Sequence, residues 1–419
     1  MIKYHKTQLS NGLKIIVHRD INTPLVAFNL LYDVGSRDEN PEKTGFAHLF
    51  EHLMFEGSSN VPKFDKPIQE AAGSNNAFTS RDITNYYITL PAVNVETAFW
   101  VESDRMKNLL ISEKSLETQK KVVSEEFRQS YLNQPYGDAM LLLHDLAYKT
   151  HPYRWNPIGI DLSHIQNANL EDVQGFFSKH YRPNRAILSI AGNVDPDEML
   201  RLAEKWFGDI EPNYDYHRNL SKEPVQDTYR FLEVKRNVPT DAIYKAFHMG
   251  KRMEDDYYVS DILSDILANG TSSRLYRNLY KKKGLFVEIS SSISGSIDEG
   301  LLYIVGKIAE GIDPKQANDA INEELKLLIH EGIKSTELEK VINKTISVMM
   351  FSKMNILNKA MNLAYFECLG KIDLINNEID RYRKIEIEDL LRVGNQMFTN
   401  NNLSDLFYLS KKSNMSPLV

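Results

Sequence analysis

Two histidines and a glutamate stand within five residues of one another in the segment GFAHLFEHLMFEG, Gly45 to Gly57: His48, Glu51 and His52. On a helix, positions i and i+4 share a face one turn apart, so both imidazoles can close on one ion. Glu51 follows His48 by three residues and lies beside that face. Phe46, Leu49, Phe50, Leu53 and Phe55 surround the polar groups. A helix that is apolar nearly all round is normally buried. Buried imidazoles and carboxylates need partners, because desolvating them alone costs several kcal/mol. A divalent cation is one such partner. The blander reading is a hydrogen-bonded polar stripe on an ordinary helix.

The order His-x-x-Glu-His is also a signature of zinc hydrolases, inverted from their commoner motif. Zinc in hydrolases takes three protein ligands and keeps a fourth position for water. Two histidines therefore need a third partner, commonly a carboxylate. The segment LETQKKVVSEEFRQSYLNQ, from Leu116, reads as a charged amphipathic helix with Glu125 and Glu126 in its middle. Most acidic pairs on helices are solvated, and composition alone does not choose this pair over others.

The elements that must position these residues are written twice. After an Asn11-Gly12 turn, Leu13 to Val17 alternates as a strand does, and Pro24 precedes a second apolar strand, Leu25 to Val34, ending at Gly35. Downstream, Phe231 to Lys235 reads as a strand, and Pro239 precedes Ala242 to Met249, ending at Gly250. HLFEHLMFEGSS (His48 to Ser59) aligns without a gap on DILSDILANGTS (Asp261 to Ser272), and SLETQKKVVSEEF (Ser115 to Phe127) resembles ELEKVINKTISVM (Glu337 to Met349). Three blocks in the same order mark an internal repeat. The expected architecture is α+β: two homologous α/β-sandwich halves, each a mainly antiparallel sheet with helices packed on one face. The boundaries are expected at 1–210 for the first half, 211–226 for a polar, proline-bearing linker and 227–419 for the second half. In the second copy, Asp261, Ser264 and Asp265 replace His48, Glu51 and His52, so the second half keeps the frame and lacks the ligands.

Composition narrows the function classes. The chain has 419 residues, 42% of them hydrophobic, enough for two ordinary cores. A net charge of −7 offers no basic field for nucleic acid. Cys368 is the single cysteine, so neither an intrachain disulfide nor a cysteine-based zinc or iron–sulfur site is open to it. No run approaches the ~18 apolar residues of a membrane span, and MIKYHKTQLSNGLKIIV lacks an apolar h-region. The chain as given is expected to be soluble and cytoplasmic, or periplasmic if a signal peptide was removed.

The sequence resembles the pitrilysin-type inverzincin metallopeptidases, in particular the short two-domain kind related to mitochondrial processing peptidase. HLFEH at 48–52, SNNAFTSRDITNYYITLP at 74–91, VVSEEF at 122–127 and YRPNRAILSIAGNVDP at 181–196 carry the resemblance, and a diverged second half begins its match at Asp255. It implies one zinc per chain, held by His48, His52 and Glu126, the last preferred over Glu125, with Glu51 as general base. Zinc of this kind acidifies water and polarises a scissile carbonyl, and a carboxylate beside it can move the proton to the leaving amine. The resemblance also implies that Asn76, Ala77, Phe78 and Thr79 hold an extended peptide by strand addition; read without it, they are the end of an ordinary alternating strand. Two lobes enclosing a clam-like chamber, and oligopeptide substrates, follow from the same likeness.

Two positions depart from the family pattern. A supporting glutamate seven residues before the third ligand is replaced by Gln119, and losing such a group commonly costs ~10–100-fold in affinity or activity. The Arg and Tyr that help bind substrate in many relatives correspond to Tyr280 and Val287, after the turn Gly270 to Leu275. The expected function is thus a zinc endopeptidase, working as the zinc-bearing subunit of a heterodimer whose partner brings the Arg/Tyr pair, or as a homodimer. The competing reading is a noncatalytic assembly or peptide-binding subunit that kept the fold.

Overall fold

The structure, a computed structural model, describes residues 1–411. Among the described residues, alternating and continuous apolar runs fold into eleven strands in two sheets. The first sheet has β1 (His5–Gln8), β2 (Lys14–Arg19), β3 (Leu25–Tyr32), β4 (Ser74–Thr79), β5 (Thr84–Pro91) and β6 (Ala186–Gly192), in the order β1-β2-β6-β3-β5-β4. The second has β7 (Arg230–Arg236), β8 (Ala242–His248), β9 (Phe286–Ile293), β10 (Leu301–Ile308) and β11 (Leu403–Ser410), in the order β7-β11-β8-β10-β9.

Apart from β1, the two sheets have the same order and directions. β2 pairs parallel with β6, as β7 does with β11. The other three pairings are antiparallel in both. The repeated blocks fall on matching elements: β3 and β8, the helices Phe46–Leu53 and Asp255–Ala268, and the helices Glu113–Phe127 and Ser335–Ser352. Equivalent core positions differ in chemistry. Leu30 faces Leu188 across β3 and β6, whereas Lys245 faces Asp405 across β8 and β11. That ammonium donates to both carboxylate oxygens at 2.8 and 3.0 Å. Burial pushes the Lys245 pKa down, and Asp405 opposes the shift. Breaking a buried pair by removing one partner typically costs about 3–5 kcal/mol.

The compact units are not the contiguous halves 1–210 and 227–419. One unit comprises Met1–Phe127, Trp155–Ser221 and Met349–Asn377; the other comprises Arg128–Arg154, Lys222–Val348 and Glu378–Val419. The reason is apolar matching. In the first unit, Phe28, Phe99 and Phe207 meet edge to face in sequence, with Phe28–Phe99 centroids at 4.9 Å. Ala27 and Ala191 pack against Ala360, Ile356 and Leu357 of the helix Ile356–Cys368. Small residues on the sheet let that helix sit close. Its Glu367 bridges Lys6 at 2.7 Å and Lys14 at 3.3 Å, and its Lys359 bridges Asp20 at 2.7 Å. The second unit takes the helix Ala139–Ala147 in the same manner, packed on Tyr244, Ala246, Leu406 and Tyr408. Each sheet therefore carries one helix supplied by the other half of the sequence. No helix of the described residues is long and apolar enough to cross a membrane.

Candidate metal centre

The motif residues sit on the helix Phe46–Leu53, whose Phe46, Ala47, Leu49, Phe50 and Leu53 are buried. Phe50 anchors it against the helix Leu170–His180 and the residue after: its ring lies 5.5 Å from Phe177 and 4.3 Å from Tyr181, centroid to centroid. Gly45 begins the helix at φ 90°, where a Cβ would stand 2.7 Å from Ile165 Cδ1 and 2.8 Å from the Ile158 carbonyl oxygen. Gly45 has no side chain to cap the helix, so Glu39 does it. Its two carboxylate oxygens accept the N–H groups of Gly45 at 2.9 Å and Ala47 at 2.8 Å. Burial pushes this carboxyl well above the usual range, and the Ala47 and Gly45 N–H bonds pull the other way.

The helix Glu113–Phe127 is started by a reciprocal pair: Ser115 N–H donates to Ser112 Oγ at 3.1 Å and Ser112 N–H to Ser115 Oγ at 2.9 Å. Leu116, Val123 and Phe127 form its buried side. Glu126 emerges beside that side, directly before the helix widens into a π-helical turn over Arg128–Leu132; Glu125 is exposed. Gln119 donates to Glu56 Oε1 at 2.5 Å, tying this helix to the chain just after the motif.

His48, His52 and Glu126 converge. Their Nε2 atoms lie 3.7 and 3.5 Å from Glu126 Oε2. Among the described residues this is the only group of three His, Cys, Asp or Glu whose ligand atoms come within 4.8 Å of one another. A tetrahedral zinc with donors at about 2.0–2.2 Å sets donor–donor distances of roughly 3.3–3.6 Å, so the residues fit the ion. The electrostatics fit too. Burial, with repulsion from His52, pushes His48 down to about 4 against the pull of Glu126, so it is neutral at physiological pH, as a ligand must be. The hydrogen bond with His52 leads the causes holding Glu126 below the usual carboxylate range, despite partial burial. His48 Nδ1 is buried with no hydrogen-bond partner among the described residues.

Glu51 lies beside that group without belonging to it. Its Oε2 accepts the Thr79 hydroxyl at 2.5 Å. Burial raises its pKa, and the Thr79 bond opposes the rise. A carboxylate tuned upward is a better proton acceptor and donor near neutrality. Thr79 ends β4, the edge strand of the first sheet. Along β4 the side chains of Ser74, Asn76 and Phe78 are exposed and those of Asn75, Ala77 and Thr79 half-buried. The Asn76 side chain accepts the Ala77 N–H at 2.8 Å, closing one backbone donor of that edge. Asn76, Ala77, Phe78 and Thr79 therefore adjoin the motif helix through the last of them. Tyr280 lies in the turn Tyr276–Lys282, its ring 4.7 Å from that of Tyr276, and Val287 lies on β9, about half exposed. Sequence reasoning missed two groups: Glu39, which acts across a loop, and the Thr79 hydroxyl, for which strand alternation only gave the face.

Comparisons with known proteins match this arrangement. The family described as insulinase (peptidase family M16) matches residues 14–156, and the one described as peptidase M16 inactive domain matches residues 167–345. The chain is 29% identical over 425 residues to the zinc protease PqqE of Helicobacter pylori, spanning 97% of this chain and 92% of that protein. It is 30% identical over 237 residues to the mitochondrial-processing peptidase subunit beta of Caenorhabditis elegans, spanning 56% of this chain and 50% of that one. The crystal structure of a protease from Helicobacter pylori superposes with a TM-score of 0.92 at 27% identity, covering 98% of this chain and 100% of the other. The motif helix, its zinc-ready partners, the doubled sheet and these matches agree: the chain belongs to peptidase family M16, the pitrilysin-type inverzincins.

Proposed function

We propose that the chain is a zinc-dependent endopeptidase cleaving oligopeptides or unfolded segments, and that it works as the zinc-bearing subunit beside a partner that supplies an Arg/Tyr pair. The observation that carries this reading is the meeting of His48 Nε2, His52 Nε2 and Glu126 Oε2, with the Glu51 carboxylate next to them and an open sheet edge beyond. Zinc held by these three residues would supply Lewis acidity, acidifying water and polarising the scissile carbonyl.

The rest is the chain's own work. The edge of β4 holds an extended peptide through its backbone, so side-chain preference is broad. Glu51 takes a proton from water onto its carboxylate and delivers it to the nitrogen of the leaving amine. Its upward-shifted pKa favours the second half of that cycle, when the protonated acid must exist near neutral pH. The two-subunit form is supported by Tyr280 and Val287, neither of which offers the cationic donor that an oxyanion calls for. The Caenorhabditis relative is, by its name, one subunit of a processing peptidase.

The test compares wild type with Glu51→Gln on a quenched fluorescent peptide library, with zinc content measured in both. Bound zinc in both and cleavage only in wild type is expected. Equal activity removes Glu51 from its role. Zinc absent from both, with none taken up on addition, favours a scaffold subunit. Full-speed cleavage by the purified chain alone removes the partner.

A further inference from the structure

Thr79 belongs to two parts of the site at once. It is the last residue of β4, paired with Thr84, and its hydroxyl donates to Glu51 Oε2 at 2.5 Å. Hydrogen bonds to ionised oxygens are short and roughly twice as strong as neutral ones. Among the described residues the other oxygen, Oε1, has no hydrogen-bond partner, since Thr79 is the sole side chain bonded to this carboxylate. One oxygen is thus anchored and one is left for the moving proton.

The anchor is itself rigid. The turn after Thr79 is closed by Ser80, whose Oγ accepts the N–H groups of Asp82 at 3.1 Å and Ile83 at 3.0 Å. Ser80 and Arg81 carbonyls accept the N–H groups of Ser36 at 3.2 Å and Arg37 at 2.9 Å. Arg37 and Asp82, both buried, pair at 2.8 Å. Trp155 Nε1 donates to the Ser36 carbonyl at 2.9 Å. The end of the edge strand is thus fastened by bonds of its own that do not involve Glu51.

We propose that Thr79 is a positioning residue: its hydroxyl fixes the Glu51 carboxylate and thereby ties the base to the strand along which a peptide would lie. The inference rests on the peptidase reading above and adds a role to it. A side chain committed to Glu51 contributes to substrate binding only through its backbone, so its removal acts on turnover and leaves affinity alone.

The experiment measures cleavage of one fluorescent peptide by wild type, Thr79→Val, Thr79→Ser and Glu51→Gln, each at full zinc loading. Chelator competition for zinc and binding of a non-cleavable peptide give readouts besides activity. Thr79→Val keeps the shape and deletes the hydroxyl; kcat should fall about 10- to 100-fold, the scale of one hydrogen bond to a charged group. KM, zinc affinity and peptide affinity should stay at wild-type values, and Thr79→Ser should restore most of kcat. If Thr79→Val does not fold, Thr79→Ala takes its place. Wild-type kcat in the valine variant overturns the inference. So does a loss confined to KM or to zinc affinity, or a serine variant as slow as valine. Wild type no faster than Glu51→Gln, both as the lone chain and in the complex isolated from its source, overturns the peptidase reading, and this inference with it; an active wild type with an indifferent valine variant overturns this inference alone.

Discussion

Helix phase decides which carboxylate faces the two imidazoles. Val123 and Phe127 lie on the buried side of their helix, and Glu126, three residues after Val123, comes up on that side. Glu125 falls on the far side and is exposed. In the sequence the preference for Glu126 rested on the family resemblance; the helix phase that turns it toward the imidazoles needed the burial of Val123 and Phe127. Zinc affinity should therefore fall in Glu126→Gln by more than the ~10–100-fold typical of losing a supporting group, and stay unchanged in Glu125→Gln. Chelator competition on the two variants checks it, and equal losses would put the wrong residue in the centre. The Thr79–Glu51 bond was not legible, because a strand pattern gives a face and not the target of a hydroxyl. Gln119 was legible as a departure, but its bond to Glu56 was not.

Among the elements, the motif helix depends on a cap that lies outside the usual window. Sequence rules look for a capping side chain at the residue before the helix, and Gly45 has none. Glu39, six positions earlier, reaches back over a loop to satisfy two buried N–H groups. Glu39→Ala should strand both donors at about 1–3 kcal/mol each. Chemical denaturation should show that loss of stability, and the histidines the helix carries should bind zinc more weakly. A variant as stable as wild type, with unchanged zinc affinity, would mean water replaces the carboxylate without cost. The strands fared better than the cap. β2, β3, β7 and β8 all lie where alternation and the Pro-to-Gly frames put them, because a half-buried sheet imposes a period of two on its sequence. β1 escaped notice: its four residues carry no apolar alternation.

At the level of the whole molecule, the three repeated blocks disclosed two like halves, but not that each lends the other a helix. AMLLLHDLA and ILNKAMNLAYFEC look like any amphipathic segments; only the sheet face that receives them tells them apart. The polar linker, in turn, is largely fastened. Arg218 donates to Asp33 and Asp38 in one unit, at 2.8 and 2.7 Å for its shortest contacts. Glu223 accepts the N–H groups of Lys149, Thr150 and His151 in the other. Four residues, Asn219 to Lys222, lie between those anchors. A protease site placed there and cut should leave two fragments that co-elute in native size-exclusion chromatography and part only in denaturant. Fragments that separate on cutting would show that the lent helices do not hold. The exchange also sets a timetable for synthesis. β2, β3, β5 and β6 have all been synthesised once Gly192 is made, yet the helix that shields Ala27 and Ala191 is finished only at Cys368. The first sheet must wait with one side wet while the whole stretch from Gly192 to Cys368 is translated, which makes a nascent chain of this protein a poor candidate for folding one domain at a time.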